Sequence, residues 1–254
     1  MKVHHDYIGL WICLVSKELK AKYKRTFFGY AWSILMPLLQ SLIFYCVFSV
    51  FLRFGIEDYF LYLFIGCMVW QFFSNSLMLG VNSMLFNANL VRKTTAPRWI
   101  FVLSAVSAEA VHLLLSFPVV LVLMFCCGRT LSWSALWMLP LCLFSIISLT
   151  YGLALVTAAV NAYFRDLERI IHILLQAWFY ATPVFYAVSQ VPPRYHWLIH
   201  LNVVYYPVAL CRTVFYGPEA DLLYGLIAAA CGLVFLACGI VFFHAMQKKF
   251  AEVL

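Results

Sequence analysis

Apolar positions in this chain come in long unbroken blocks, not in the alternation of a half-buried strand. Blocks rich in leucine, isoleucine, phenylalanine and valine occupy 32–52, 59–80, 100–126, 136–160, 171–190 and 222–245. Each holds about 20 residues, the length at which a helix crosses a hydrocarbon core with its backbone groups bonded internally. The pattern predicts an all-α membrane protein with six transmembrane helices. Residues 1–31 form a lead-in, and 32–254 form one membrane domain.

Shorter patterns fill the gaps. In the lead-in, Ile8, Trp11, Ile12, Val15, Leu19 and Tyr23 recur at helical spacing, while Lys17, Lys20, Lys24 and Arg25 fall largely elsewhere. Such an amphipathic helix lies in the plane of the interface, its apolar stripe among acyl chains. Gly29 then allows a turn before Trp32, and Pro37 lies near the start of the first span, where a missing donor costs little. Segment 81–98 is too polar to span, and Asn87 or Asn89 caps a short helix there that ends before Pro97. Segment 190–221 holds four prolines among six tyrosine, tryptophan and phenylalanine residues. It reads as short interfacial or re-entrant helices between spans five and six. Pro183 should kink or break the fifth span near its outer end. Gly225, Ala229, Gly232 and Gly239 share roughly one face of the sixth span, a spacing for close helix packing.

Charge orients the bundle. Thirteen of the 17 lysines and arginines fall in the N-terminal segment, the second-to-third and fourth-to-fifth loops, and the C-terminal tail. Arg53, Arg129, Arg194 and Arg212 make up the other side. Positive charge marks the cytoplasm, so both termini are expected inside. The net charge of +7 is then a matter of topology and anionic lipid, and nucleic acid is not an expected partner. Residues 1–31 are lysine-rich and lack a small-residue cleavage pattern, so they do not read as a cleaved leader.

Candidate chemistry is sparse. The nine cysteines make no metal-ligand spacing, and most lie within spans, where cysteine behaves as a small hydrophobe. No phosphate-cradling GxxxxGK[ST] loop occurs, and no HExxH, GxSxG or paired carboxylates are placed for hydrolysis. Neither a catalytic site nor a metal is therefore expected on this chain. Glu109 and His112, three apart on the third span, could pair with each other and offset their burial. The run Asn161 to Arg169 is a compact mixed-charge cluster, with Asp166 and Glu168 beside Arg165 and Arg169. It reads either as a solvated turn or as a rigid hinge receiving force from a cytoplasmic partner. Aromatics make up 18% of the chain and are dense inside spans. Phe44, Tyr45, Phe48, Trp70, Phe73 and Tyr180 are either belt and core packing or a channel lining on which sugar rings stack.

Several of these strings resemble polysaccharide ABC exporter permeases, in order and over essentially the full length. Lys17-Glu18-Leu19-Lys20-Ala21-Lys22-Tyr23-Lys24-Arg25, then Gly29-Tyr30-Ala31-Trp32 and Pro37, are similar to that family's lead-in. The Asn87–Pro97 loop with Leu90, Arg92 and Lys93 follows, then Phe164-Arg165-Asp166 and Thr182-Pro183-Val184. The nearest resemblance is to O-antigen exporter permeases, with teichoic-acid exporter permeases close by. One position departs: the family usually has Asn-Pro after the outer segment, whereas here Val203 follows Asn202 and proline comes at Pro207.

The resemblance implies a division of labour between chains. Two copies of this chain form a channel, and two separate ATP-binding subunits carry ATP and magnesium. No cofactor is then expected here. Residues 7–25 would be the interface helix, carrying Trp11, Lys17, Lys20, Tyr23 and Arg25. Segment 86–97, through Asn89, Leu90, Arg92 and Lys93, would be the main coupling helix, with Phe164, Arg165 and Asp166 a second contact. The cargo would be an undecaprenyl-linked polysaccharide crossing the bacterial inner membrane. Teichoic-acid or capsule permeases, and drug or lipid exporters of the same superfamily, are the alternatives. The last commonly carry a larger domain between the first two spans, for which 53–58 leave no room.

Overall fold

The computed structural model describes residues 7–24, 26–131, 136–217, 221–247 and 250, and its regular elements are all helical. Arg25 lies outside the described residues. The lead-in is helix α1 (Tyr7–Tyr23). A turn with Gly29 at φ 50° and a short 3-10 segment lead into α2 (Trp32–Phe44), which widens into a π-helical stretch, Tyr45–Phe51. Then come α3 (Tyr59–Phe86), α4 (Ala88–Lys93), α5 (Trp99–Cys126) and α6 (Met138–Tyr163). The chain ends with α7 (Leu167–Ala181), α8 (His196–Leu201), α9 (Tyr205–Phe215) and α10 (Leu222–Met246).

Five of the spans are present as helices long and apolar enough to cross a membrane: Gly29–Phe51, Tyr59–Phe86, Trp99–Cys126, Met138–Tyr163 and Leu222–Met246. The predicted fifth span, 171–190, is corrected. Its helix α7 has 15 residues, about 22 Å at 1.5 Å per residue, short of a core about 30 Å thick. The apolar run continues past Thr182 and Pro183, but the helix does not, because proline lacks the donor that would extend it. The break expected at Pro183 is thus where α7 stops.

The traverse is completed without regular helix. Tyr59, at the start of α3, donates its hydroxyl to the Phe185 carbonyl, and Tyr62 donates to the Tyr186 carbonyl at 3.0 Å. By Phe185 the chain has therefore reached the end of the bundle where α3 begins. From there α8 and α9 form a pair bent by 101°. Every residue of α9 is buried, as expected of a re-entrant element whose backbone is shielded from lipid by protein.

Packing centres on α3, whose most apolar stretch is 72% buried, against 11% for the first span. Helices α6 and α10 form the tightest pair. A Cβ built on Gly239 would lie 2.3 Å from the Gly152 carbonyl oxygen, and one on Gly232 would lie 2.8 Å from the Ser145 carbonyl. Small residues let the two backbones touch, as the spacing in the sixth span predicts. Gly239→Val should therefore cost about 3 kcal/mol and lower the melting temperature of the detergent-solubilised protein. Gly225→Ala should be tolerated, because its new methyl meets only the tip of Leu141, a flexible side chain. Equal melting of the two variants would disprove this account of the pair.

Candidate functional site

The polar interior is built from four helices. A cavity of about 1010 Å³ opens between α1, α2, α3 and α5, with Glu168 of α7 at its edge. On α3, Gln71, Ser74, Asn75 and Asn82 share one face at helical spacing and line it. Gln40 of α2 faces them and accepts a hydrogen bond from the Gln71 amide at 2.7 Å. Ser33, Glu109, His112 and Ser116 complete the polar wall, with Trp32 and Tyr23 as aromatic faces. Uncharged amides and hydroxyls thus cluster on helices that are otherwise apolar. Polar groups at such positions are costly unless they face water or a polar ligand.

Helix α1 closes one side of this cavity. Trp11 donates its indole N–H to Ser107 Oγ at 3.1 Å, Lys22 pairs with the buried Glu109 at 2.7 Å, and the Tyr23 hydroxyl meets His112 Nε2 at 3.2 Å. Trp11 and Tyr23 are about 18 Å apart along α1, yet Ser107 and His112 are about 7.5 Å apart along α5. So α1 lies obliquely across α5. Burial, with Glu109 nearby, pushes the Tyr23 hydroxyl up to about 12, which keeps it protonated at neutral pH. The expectation that Glu109 and His112 satisfy each other is corrected: each takes a partner from α1, because the crossing helix reaches them first. The predicted apolar stripe also divides. Tyr23 is buried against α5, Ile8 and Ile12 are exposed, and Leu14, outside the stripe, is the other buried residue of α1.

Far from α1, aromatics gather where α2 meets the end of α7. Phe44 stacks on Phe179 at 5.5 Å, and Phe48 stacks on Phe185 at 4.9 Å. Tyr45 sits edge-on to Phe60 at 6.1 Å, and Tyr180 is exposed beside Phe185. Trp70 and Phe73 are enclosed within the protein, against Phe179 and Trp178 respectively. Helix α7 exposes a polar stripe, Arg169, His172, Gln176 and Tyr180 at three- and four-residue spacing, beside the exposed apolar residues Ile170, Ile173 and Leu174.

The broken backbone at Thr182–Val184 is held by two polar residues. Arg212 of α9, 1% exposed, donates to Tyr62 Oη at 2.7 Å, to the Pro183 carbonyl at 2.8 Å and to the Val184 carbonyl at 2.7 Å. Its guanidinium also stacks over the Tyr62 ring at 3.4 Å. A Cβ on Gly66 would stand 2.6 Å from that guanidinium, so glycine there makes its room. Asn202 does the second job. It accepts from Trp178 Nε1 at 3.0 Å and from the Val204 amide at 3.1 Å, and donates to Thr182 Oγ1 at 2.8 Å. With Val203 in place of the usual proline, the bend before α9 is thus secured by the Asn202 side chain. Nearby, Arg129 bonds Asp58 at 2.5 Å and the Tyr216 carbonyl at 2.5 Å, closing that end of the bundle.

At the opposite end stand the predicted coupling residues. Asn89, Leu90, Arg92 and Lys93 are exposed on α4, while Val91 points inward. Asn87 occupies the cap position of α4 but does not cap with its side chain; it accepts from Lys17 at 2.6 Å and donates to the Ser83 carbonyl at 2.9 Å. Phe164, Arg165 and Asp166 are exposed between α6 and α7, and Lys20 is exposed on α1. Among the described residues, no ion pair engages Asp166 or Glu168, so the local pairing anticipated for them is corrected. The cavity wall itself was missed from sequence. Its signal was available in Gln71, Ser74, Asn75 and Asn82, a polar face inside an apolar block.

A helical bundle with a ligand-sized, partly polar cavity and no nucleotide loop in its sequence fits a membrane transport subunit. Comparison with known proteins supplies the family. The chain belongs to the ABC-2 type transporter family, which matches residues 10–216. Two proteins named O-antigen export system permease protein RfbA, from Klebsiella pneumoniae, are each similar at 32% identity over 255 residues, covering 100% of this chain and 98% of the relative. A protein of the same name from Myxococcus xanthus is 31% identical over 253 residues, covering 98% of this chain and 96% of the relative.

Proposed function

We propose that this chain is the transmembrane subunit of an ATP-driven exporter that moves lipid-linked O-antigen, or a related surface polysaccharide, across the bacterial inner membrane. Two copies work with two ATP-binding subunits, which carry ATP and magnesium. The end bearing α4 and Phe164-Arg165-Asp166 faces the cytoplasm, in keeping with the excess of basic residues there. Asn89, Leu90, Arg92 and Lys93 form the main contact with the ATPase, and α1 lies at the interface with Ile8 and Ile12 toward lipid. An undecaprenyl-linked polymer enters from the cytoplasmic side and leaves on the periplasmic side.

The observation that carries this reading is the cavity of about 1010 Å³, whose α2 and α3 side presents uncharged amides and hydroxyls, with the charged groups on α1, α5 and α7. Amides and hydroxyls exchange hydrogen bonds with sugar hydroxyls without holding them by charge, which suits a polymer that must keep sliding. Aromatic faces at Phe44, Phe48 and Tyr180 offer stacking for sugar C–H faces further along. Full-length similarity to three O-antigen export permeases favours polysaccharide over a small solute.

Deletion of the gene should abolish surface polysaccharide and accumulate lipid-linked glycan in the cytoplasmic membrane. Wild-type protein should restore export, and the Gln40→Leu, Gln71→Leu double variant should leave it at about one tenth, with protein level unchanged, because two amides that would hydrogen-bond the passing sugar are lost. Normal surface glycan in the deletion strain would refute the polysaccharide assignment. Full rescue by the double variant would remove these glutamines from the path.

A further inference from the structure

The end of α10 touches the residues that flank both segments assigned to coupling. Arg98, the residue after segment 86–97, donates its guanidinium to the Gln247 carbonyl. Tyr163, the residue before Phe164, donates its hydroxyl to the Met246 carbonyl at 2.8 Å. Between them sits Phe250, 0% exposed, with its ring 5.8 Å from Tyr163, 5.5 Å from Phe243 and 5.9 Å from the Arg98 guanidinium.

The chemistry of a helix end explains why these contacts form. The last carbonyls of α10 have no donor within the helix and carry partial negative charge. A cation and a phenol supply the missing donors, one from the cap position of α5 and the other from the last residue of α6. A helix that needed only a cap could take both donors from one neighbour or from water. Here the cap is shared, and a fully enclosed aromatic ring fills the angle between the two donors.

We infer that Met246, Gln247 and Phe250 form a brace that holds the 86–97 coupling segment and the 164–166 cluster in fixed relation, with Arg98, Tyr163 and Phe250 as positioning residues. Force delivered at either contact then reaches α5 and α6 together instead of bending one loop. This inference rests on the coupling role given to both segments under the proposed function.

Two measurements test it separately from that reading. In the purified chain without a partner, backbone amide exchange is compared between wild type and Phe250→Ala. Exchange should rise about five-fold in both 86–97 and 164–168. A rise in one segment only, or in neither, overturns the brace whether or not any ATPase binds. In vesicles holding the full complex with its ATPase and lipid-linked glycan, ATP hydrolysed and glycan moved are then measured together. Phe250→Ala and Tyr163→Phe should hydrolyse ATP near the wild-type rate while glycan moved per ATP falls about five-fold, and Arg98→Lys should lose less than Arg98→Met. An unchanged ratio, or parallel loss of both rates with folded protein, overturns it. If exchange rises in both segments but wild type recruits no ATPase, the brace stands and the export reading falls.

Discussion

Replacing Arg212 by methionine is expected to cost about 3–5 kcal/mol and to leave little folded protein in detergent. Methionine matches the length of the arginine stem but supplies no donor. The Pro183 and Val184 carbonyls, left without helical partners by the break after α7, would then be buried unpaired. Arg212→Lys should recover part of the loss and no more, since one ammonium cannot span both carbonyls and the Tyr62 hydroxyl as the guanidinium fork does. Thermal melts of the three proteins check this. Equal melting of Arg212→Met and wild type would mean that the broken segment finds other donors.

The second large effect is expected at the end proposed to couple to the ATPase. Reversing charge with Arg92→Glu and Lys93→Glu should weaken recovery of the ATPase with this chain by about ten-fold or more, because like charges set against a complementary surface cost several kcal/mol. Insertion and melting should hardly change, since both side chains are exposed on α4 and surface substitutions usually stay within about 0.5 kcal/mol. Undiminished recovery of the ATPase would take segment 86–97 out of the coupling role.

Hydropathy made the spans readable because length and apolarity are what a bilayer demands. It located Pro183 as a break and the glycine face of the last span as a packing surface. It failed where apolarity and helicity part company. Val184, Phe185 and Val188 extend the apolar block, yet the backbone carrying them is a broken segment and a single 3-10 turn, so the fifth span was drawn nine residues too far. Arg212 was counted as a loop charge, since a charge suggests water. Its flanks, Ala209-Leu210-Cys211 and Thr213-Val214-Phe215, were the signal that it is enclosed. Glu109 and His112 were legible as buried ionisable groups, but their partners were not. Lys22 and Tyr23 lie almost ninety residues earlier, and no local rule brings a crossing helix to them.

The uneven packing of the spans divides the molecule mechanically. The glycine contacts weld α6 and α10 into one stiff strut, which cannot slide without backbone collision. The first span is the loosest of the five, and the Gln40–Gln71 amide pair pins it across the cavity. An interhelical hydrogen bond of this kind holds about 0.6 kcal/mol, close to thermal energy at room temperature. Swinging α2 away from α3 therefore costs little at this pair, while the Phe44–Phe179 and Phe48–Phe185 stacks resist it further along the span. Under the proposed coupling role, ATP would then have its work at the stiff end of the bundle, where the strut meets the residues flanking segments 86–97 and 164–166.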